Sequence, residues 1–118
     1  MTLDWFQIDE FDSPDVEGSG RLMDADFLIA LNSARNFAKI PFKINSGYRT
    51  KEWNQRCGGR VGSSHLKGVA ADIHCNNSAN RIIIVKSLIN AGFKRIGIAK
   101  SFIHCDLDND KPDAIWLY

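Results

Sequence analysis

Two short apolar runs in the second half of the chain carry acidic and histidine side chains at alternating positions. Residues 69–75 are VAADIHC and residues 102–107 are FIHCDL. Small and β-branched residues of this kind are typical of buried strands, in which alternate side chains point to the same face. The polar positions on these faces are Asp72 and His74 in the first run and His104 and Asp106 in the second. Because a buried strand tolerates such groups only when they are partnered, these two runs constrain the fold more than any other feature.

The same alternation predicts a metal site between the two runs. If the strands lie side by side, Asp72 and His104 meet across the ladder, and His65 can approach from the Gly/Ser-rich loop that precedes the first strand. Two imidazoles and one carboxylate around a point leave a fourth position open for water. Such a set suits catalytic zinc, whereas a structural zinc site is closed by four protein ligands.

Two other interpretations of these residues stay open. Any one of these histidines could be a hydrogen-bonded structural residue with no metal. A Cys/His zinc cluster is the other alternative, because Cys75 follows His74 and Cys105 follows His104. However, neighbouring strand residues point to opposite faces and the sequence has no CxxC spacing, so each pair is a poor chelate. We therefore expect Cys75 and Cys105 to be small core residues.

The remaining pattern predicts an α+β fold, with helices packed on one side of a small, mainly antiparallel sheet. A helix is expected over 23–40 with Asp24 as its N-cap, and another over 79–91 with Ser78 as its N-cap. Residues 50–57 could form one or two helical turns. Further strands are expected at 42–45 and 95–99, with 95–99 and 102–107 forming an antiparallel hairpin, and residues 114–118 are expected to dock as a last strand or as a packed segment.

The composition excludes several classes of function. The 118 residues include 15 basic and 14 acidic side chains, so the chain lacks the basic surplus of a protein that binds nucleic-acid phosphates. The sequence has no run of about 18 apolar residues, and its acidic start lacks the basic and apolar regions of a secretory signal. Three cysteines are too few for a disulfide framework and fit a chain made in the cytoplasm. We expect residues 1–118 to form a single domain.

Four ordered motifs resemble the zinc D-Ala-D-Ala peptidases, in the short-chain branch common among bacterial cell-wall enzymes and phage endolysins. They are SGYRT at 46–50, Asn54, SHLKGVAADI at 64–73 and FIHCD at 102–106. EFDSP at 10–14 and Trp116 resemble further pieces of that branch. Gly68, inside the third motif, is expected to supply a backbone shape that no larger residue accepts. The resemblance implies a hedgehog/D-Ala-D-Ala peptidase-like fold.

The resemblance also implies roles for individual residues. His65, Asp72 and His104 match the family's zinc ligands, the same trio that the strand geometry indicates. Arg49 matches an arginine beside the active site that helps to hold the substrate or the developing oxyanion. Ser64 matches a serine that can bind the substrate or a ligand residue. The alternatives are a surface charge for Arg49 and a loop cap for Ser64.

The identity of the general base is open. The best-known members of the family carry an acidic residue three positions before the last histidine ligand, where this chain has Ser101. A serine hydroxyl is not an equivalent base. Asp106, on the same strand face as His104, is the preferred substitute, and His74 is the second choice. The alternative role of Asp106 is to orient a ligand histidine.

The resemblance implies a zinc metallopeptidase that cleaves peptidoglycan stem peptides, as a D-Ala-D-Ala carboxypeptidase or as an endopeptidase in the stem or cross-link. We expect Zn²⁺ as the cofactor, stem peptides as the partners, no nucleic acid, no membrane insertion and a monomer. By analogy with compact phage lysins, the chain would be made in the cytoplasm without a signal peptide. It would reach the wall through lysis or as a virion component. Two alternatives stay open: a catalytically inactive, hedgehog-like zinc-dependent binding module, and a peptidase that acts on a host peptide outside the wall.

Overall fold

A five-stranded sheet and three α-helices form the fold in the computed structural model, which describes residues 2–118. The helices are α1 (Ala25–Ala38), α2 (Lys51–Arg56) and α3 (Ser78–Asn90). The strands are β1 (Ile44–Ser46), β2 (Ala70–His74), β3 (Arg95–Ile98), β4 (Phe102–Asp106) and β5 (Ala114–Leu117). Short 3-10 helices lie at Ile8–Phe11, Ser19–Leu22 and Ser64–Lys67.

The strands are arranged in the order β1-β2-β4-β3-β5. Neighbours pair antiparallel except β5, which runs parallel to β3. The predicted α+β class and mainly antiparallel sheet are confirmed, and so is the hairpin of β3 and β4. The parallel pairing of β5 was not indicated by the sequence, because the residues that separate β4 and β5 carry no signal for strand direction.

The register between β2 and β4 places the two polar-bearing runs side by side. Asp72 lies opposite His104, and Ala71 lies opposite Cys105. Because side chains alternate along a strand, this register puts the polar groups on one face and the apolar ones on the other. A slip of one residue would move every group to the wrong face, so burial of the apolar side fixes the register.

Both long helices begin with an asparagine or aspartate cap. The Asp24 carboxylate accepts a hydrogen bond from the Phe27 amide at the start of α1, as predicted. The predicted cap of α3, Ser78, is wrong by one residue. Asn77 is the N-cap and accepts from the Asn80 amide, and Ser78 is the first helical residue. Either residue type can cap a helix, so the sequence alone did not separate them.

The apolar face of the sheet packs into the core with α1 and α3. The shared core contains buried aliphatic and aromatic residues from the sheet and both helices: Ala71, Ile73, Ile96, Ile103, Phe27, Leu28, Leu31, Ile84 and Leu88. Cys75 and Cys105 are also buried in this core, which confirms their predicted place. None of the helices in residues 2–118 has the length and apolar character needed to cross a lipid bilayer.

Candidate metal centre

The candidate centre begins with the cross-strand pair that the sequence predicted. His104 Nδ1 lies 3.0 Å from Asp72 Oδ1. Both residues are buried, with 7% and 8% of their surfaces exposed. The other nitrogen of the same ring, Nε2, lies 2.7 Å from Asp106 Oδ2. Asp106 lies on the same strand face as His104, and it therefore holds the outer nitrogen of the imidazole, Nε2. The inner nitrogen, Nδ1, faces Asp72.

The third group reaches the pair from outside the sheet. His65 lies in the 3-10 helix Ser64–Lys67, where the Ser63 side chain accepts a hydrogen bond from the His65 amide. The helix ends at Gly68, whose φ of 71° is left-handed and whose added Cβ would lie 2.5 Å from the Leu22 carbonyl oxygen. This confirms the expected backbone role of Gly68, because the left-handed turn and the close contact both exclude a larger residue.

Together the three side chains form a compact cluster. His65 Nε2 lies 3.4 Å from Asp72 Oδ1, and the rings of His65 and His104 are 5.2 Å apart. Ligand atoms of His65, Asp72 and His104 all lie within 4.8 Å of one another. The structure thus brings the three predicted ligands together, which is the arrangement that a single metal ion needs.

Hydrogen bonds on the outside of the cluster decide which nitrogens face inward. His65 Nδ1 lies 2.7 Å from the Gly47 carbonyl oxygen, which only accepts, so this nitrogen carries a proton. The lone pair of Nε2 is then directed at the Asp72 carboxylate. Two acceptors at 3.4 Å repel each other unless a positive charge, a proton or a metal ion, lies between them. The donor set therefore fits a cation.

The chemistry of the donor set narrows the choice of ion. Two imidazoles and one carboxylate are the ligand types of a three-ligand catalytic zinc site. Each imidazole also gives its outer N–H to an acceptor, Gly47 for His65 and Asp106 for His104. Zinc-binding histidines are usually fixed in this way, which sets the tautomer of the ring. His65, Asp72 and His104 could hold zinc, with a fourth position left for water.

The local charges alternate across the sheet. Burial raises the pKa of Asp72, but the His104 and His65 imidazoles lower it by more than burial raises it. The pKa of Asp72 therefore lies well below the ordinary value. Burial lowers the pKa of His104, but its hydrogen bonds to Asp106 and Asp72 outweigh burial and raise it. Arg49 stands at one end of this row and Arg95 at the other. The site is therefore a row of alternating positive and negative groups in which each carboxylate lies between an arginine and an imidazole.

Arg49 lies beside the cluster, as its predicted role requires. Its Nη2 is 3.5 Å from Asp72 Oδ2, and its Nε donates to Ser46 Oγ at 3.0 Å. Asn54 of α2 accepts from its Nη1 at 3.2 Å, so α2 helps to fix the guanidinium. The Asn54 motif of the sequence thus has a structural explanation: it orients Arg49 toward the carboxylate ligand.

The two predicted base candidates differ in position. Asp106 is 1% exposed, and besides His104 it accepts from Arg95 Nε at 2.8 Å and from the Asp108 amide at 3.1 Å. Both oxygens are therefore engaged, and this geometry favours orientation of His104 over proton transfer. His74 is exposed at the end of β2, opposite Phe102, and among residues 2–118 it is not part of the cluster. Its catalytic role stays a prediction.

Ser64 is integrated into a second polar network. Its hydroxyl donates to Asp108 Oδ2 at 2.7 Å and lies 2.9 Å from Lys111 Nζ. Lys67 also binds Asp108, at 2.9 Å. Ser64 is 3% exposed, so its geometry favours a role in the scaffold over direct contact with substrate. The network ties the segment that carries His65 to the segment that follows β4.

Asp108 and Arg95 are residues that the sequence analysis missed. The alternation of polar residues in β4 continues past the end of the strand, because Asp108 lies two positions after Asp106, just as Asp106 lies two positions after His104. That pattern could have indicated Asp108. Arg95 had no such signal, since its contact with Asp106 depends on the pairing of β3 with β4. The Gly47 carbonyl could not be predicted either, because backbone acceptors carry no sequence mark.

A buried carboxylate between two oriented imidazoles, on the polar face of an α+β sheet, defines a candidate metallohydrolase centre. The family Peptidase M15 matches the chain over residues 6–106, which is most of its length. The chain therefore belongs to this family and is a peptidase, as its resemblance to the zinc D-Ala-D-Ala peptidases implied. The curated proteins compared with the chain include no match. The matched segment contains the whole cluster together with Arg49 and Asp106, but it ends before β5.

Proposed function

We propose that this peptidase uses zinc, held by His65, Asp72 and His104, to hydrolyse peptide bonds in the stem peptides or cross-links of peptidoglycan. The observation that carries the metal assignment is the convergence of ligand atoms of His65, Asp72 and His104 within 4.8 Å of one another, with Gly47 engaging the outer nitrogen of His65 so that Nε2 faces Asp72 at 3.4 Å. The substrate class rests on membership of the Peptidase M15 family and on the resemblance of the motifs to cell-wall enzymes.

The residues around the cluster support hydrolysis in distinct ways. Zinc, when bound, supplies Lewis-acid chemistry: it polarises a carbonyl and brings the pKa of water to about 7. Arg49 places a positive charge beside Asp72, at the edge of the cluster, from where it would stabilise negative charge on a substrate carbonyl bound there. Gly47 and Asp106 hold the two imidazoles in the tautomers that direct one lone pair inward. Burial of all three ligands limits water around them, which strengthens these interactions.

The cellular setting is also a proposal. We infer that the chain acts on the wall as a monomer, either after lysis or as a virion component, without binding nucleic acid and without inserting into a membrane. The near-zero net charge supports the absence of a nucleic-acid role. Whether the scissile bond is a terminal D-Ala-D-Ala bond or an internal bond of the stem or cross-link is decided by the products.

A digestion of isolated sacculi tests the proposal. The purified chain is incubated with sacculi, and mass spectrometry identifies the released peptides and the bonds that acquire new amines. We expect release that stops with a chelator, returns with zinc and is lost in His104→Ala. His74→Ala is measured beside it: this change removes an exposed imidazole outside the cluster and should preserve zinc binding, and its effect on release tests the catalytic role predicted for His74. No release from sacculi, with cleavage of unrelated peptides, would assign a different peptide substrate.

A second candidate is a zinc-dependent binding module of the hedgehog type. Two observations favour it: Ser101 occupies the usual acidic position, and both oxygens of Asp106 are engaged. In that case the wild-type chain would bind zinc stoichiometrically and remain attached to its target peptide without releasing amines. Amine release that requires His104 excludes this candidate.

A further inference from the structure

The contacts around His104 form a closed ring that includes a residue of β5. Asp106 binds the outer nitrogen of His104, and Arg95 Nε donates to the other oxygen of Asp106 at 2.8 Å. The Arg95 guanidinium lies 4.9 Å from the centre of the Trp116 indole. The indole in turn lies 5.5 Å from the centre of the His104 ring, tilted by 49°. Each member of the ring therefore touches the next.

A glycine in β3 makes this arrangement possible. Gly97 lies opposite His104 in β4 and opposite Trp116 in β5. A Cβ added at Gly97 would lie 2.6 Å from Trp116 Nε1 and 2.7 Å from both Trp116 Cε2 and Tyr118 Cε2. Real Cβ atoms do not approach ring atoms this closely, so the indole lies across the space that a side chain at position 97 would fill. From there it reaches past β3 to His104 on the next strand.

We propose that Trp116, admitted by Gly97 and held by Arg95, is a positioning residue for the metal ligand His104. The inference rests on the proposed function in that His104 is taken as a ligand, but the ring of contacts exists without an ion. Asp106 and Asp72 contact the imidazole at its two nitrogens, at the edge of the ring, and these contacts restrain rotation of the ring out of its own plane less than a contact with its face does. The indole contacts the side of the ring, at a separation typical of aromatic pairs, and so restrains this rotation.

This role gives β5 a function in the site. The strand lies beyond the segment matched by the family, and within residues 2–118 it pairs only with β3, at the edge of the sheet. Its two faces differ: Trp116 points to the site and is half-buried, whereas Ile115 on the other face is 58% exposed. The Arg95 guanidinium also donates to the Pro112 carbonyl, which fixes the chain just before β5. The edge strand is thus anchored where it delivers the indole.

Zinc affinity and an NMR signal together test the proposal on the full chain. Affinity is measured by competition with a chromophoric chelator, and the orientation of the His104 ring is measured without metal from the NOEs between the His104 and His65 ring protons. We expect Trp116→Ala to weaken zinc binding about tenfold or more, as for other residues that support metal-binding histidines. Trp116→Phe should restore most of the affinity because a ring remains. Ile115→Ala, on the opposite face of β5, is the matched control and should leave both measurements unchanged.

A double-mutant cycle tests the part of Gly97. Gly97→Ala should weaken zinc binding in the wild type and have a smaller effect in the Trp116→Ala background, because the indole that it displaces is then gone and only Tyr118 still lies close to the added methyl group. Unchanged zinc affinity and unchanged NOEs between the His104 and His65 rings in folded Trp116→Ala would overturn the proposal. If the wild type binds no zinc, the proposed metal fails, but these NOEs still decide whether Trp116 positions His104.

Discussion

Replacement of Asp106 by asparagine tests the most specific claim about the site, that this carboxylate orients His104. The side chain is 1% exposed and accepts three hydrogen bonds, two of them from the charged or chargeable partners Arg95 and His104. In Asp106→Asn the Arg95 guanidinium loses its buried counter-charge. Breaking a buried pair in this way costs about 3–5 kcal/mol, a large part of the about 5–15 kcal/mol that stabilises a typical domain.

The effect on the metal site follows from the new amide. The one remaining oxygen is expected to keep Arg95 and the Asp108 amide, so the amide nitrogen faces His104 Nε2 and donates to it. The neutral imidazole then carries its proton on Nδ1, which is the atom that faces Asp72. A protonated nitrogen does not bind zinc. We therefore expect Asp106→Asn to lose zinc affinity by about 10- to 100-fold or more, together with its activity.

Zinc competition and thermal unfolding of the same preparations measure the two effects separately. The matched control is Asp110→Asn, an exposed carboxylate that pairs with Lys67 and should change neither quantity much. A folded Asp106→Asn protein that binds zinc as tightly as the wild type but no longer turns over substrate would refute the orienting role. That result would make Asp106 the general base.

Three further predictions concern stability. Burial raises the pKa of Asp108, but hydrogen bonds from Ser64 and Lys67 outweigh burial and lower it below the ordinary value of 3.8. The ionised carboxylate therefore stabilises the fold fully above pH 3.8, and this stabilisation is lost as the pH falls through the lowered pKa of the folded state. Asp108→Asn should therefore lower the unfolding free energy at neutral pH and weaken its acid dependence, as measured by denaturant titration across the acid range. Gly68→Ala should cost more than about 1 kcal/mol, and more than Gly58→Ala, because both have positive φ but only Gly68 faces a close atom, the Leu22 carbonyl oxygen. Calorimetry checks this, and equal costs would contradict the clash. Removal of zinc by a chelator should lower the unfolding temperature, since zinc at about 100 times its Kd adds about 2.7 kcal/mol; an unchanged temperature would argue against a bound ion.

The sequence was sufficient for the central pair of the site because strand alternation and burial act on the same residues. Asp72 and His104 each lie in a short run whose other residues are apolar, and only one register buries all of those residues. Once the two runs pair, the polar groups must meet. The helices were predicted for a similar reason, since a regular apolar stripe and a capping residue are local properties. Even so, the start of α3 was misplaced by one residue.

The supporting residues could not be predicted because their contacts depend on strand order. Arg95 reaches Asp106 because β3 lies beside β4, and Trp116 reaches His104 because β5 lies beside β3. Nothing local in residues 107–118 indicates that β5 runs parallel to β3. The Gly47 carbonyl is a backbone atom, whose use depends on where the His65 segment folds back. The sequence therefore indicated the ligands and Asp106, but not the Gly47 carbonyl or Arg95, which complete the contacts that orient the two imidazoles.

The three ligands differ in how their parts of the chain can open. Asp72 and His104 lie on β2 and β4, each of which is hydrogen-bonded to strands on both sides. Amides in these strands should exchange with solvent only through global unfolding, so the two ligands stay in place as long as the fold exists. His65 instead lies in a short 3-10 helix after an exposed, glycine-rich loop. Local opening of that segment costs less, and we expect it to set the rate at which an ion enters and leaves the site.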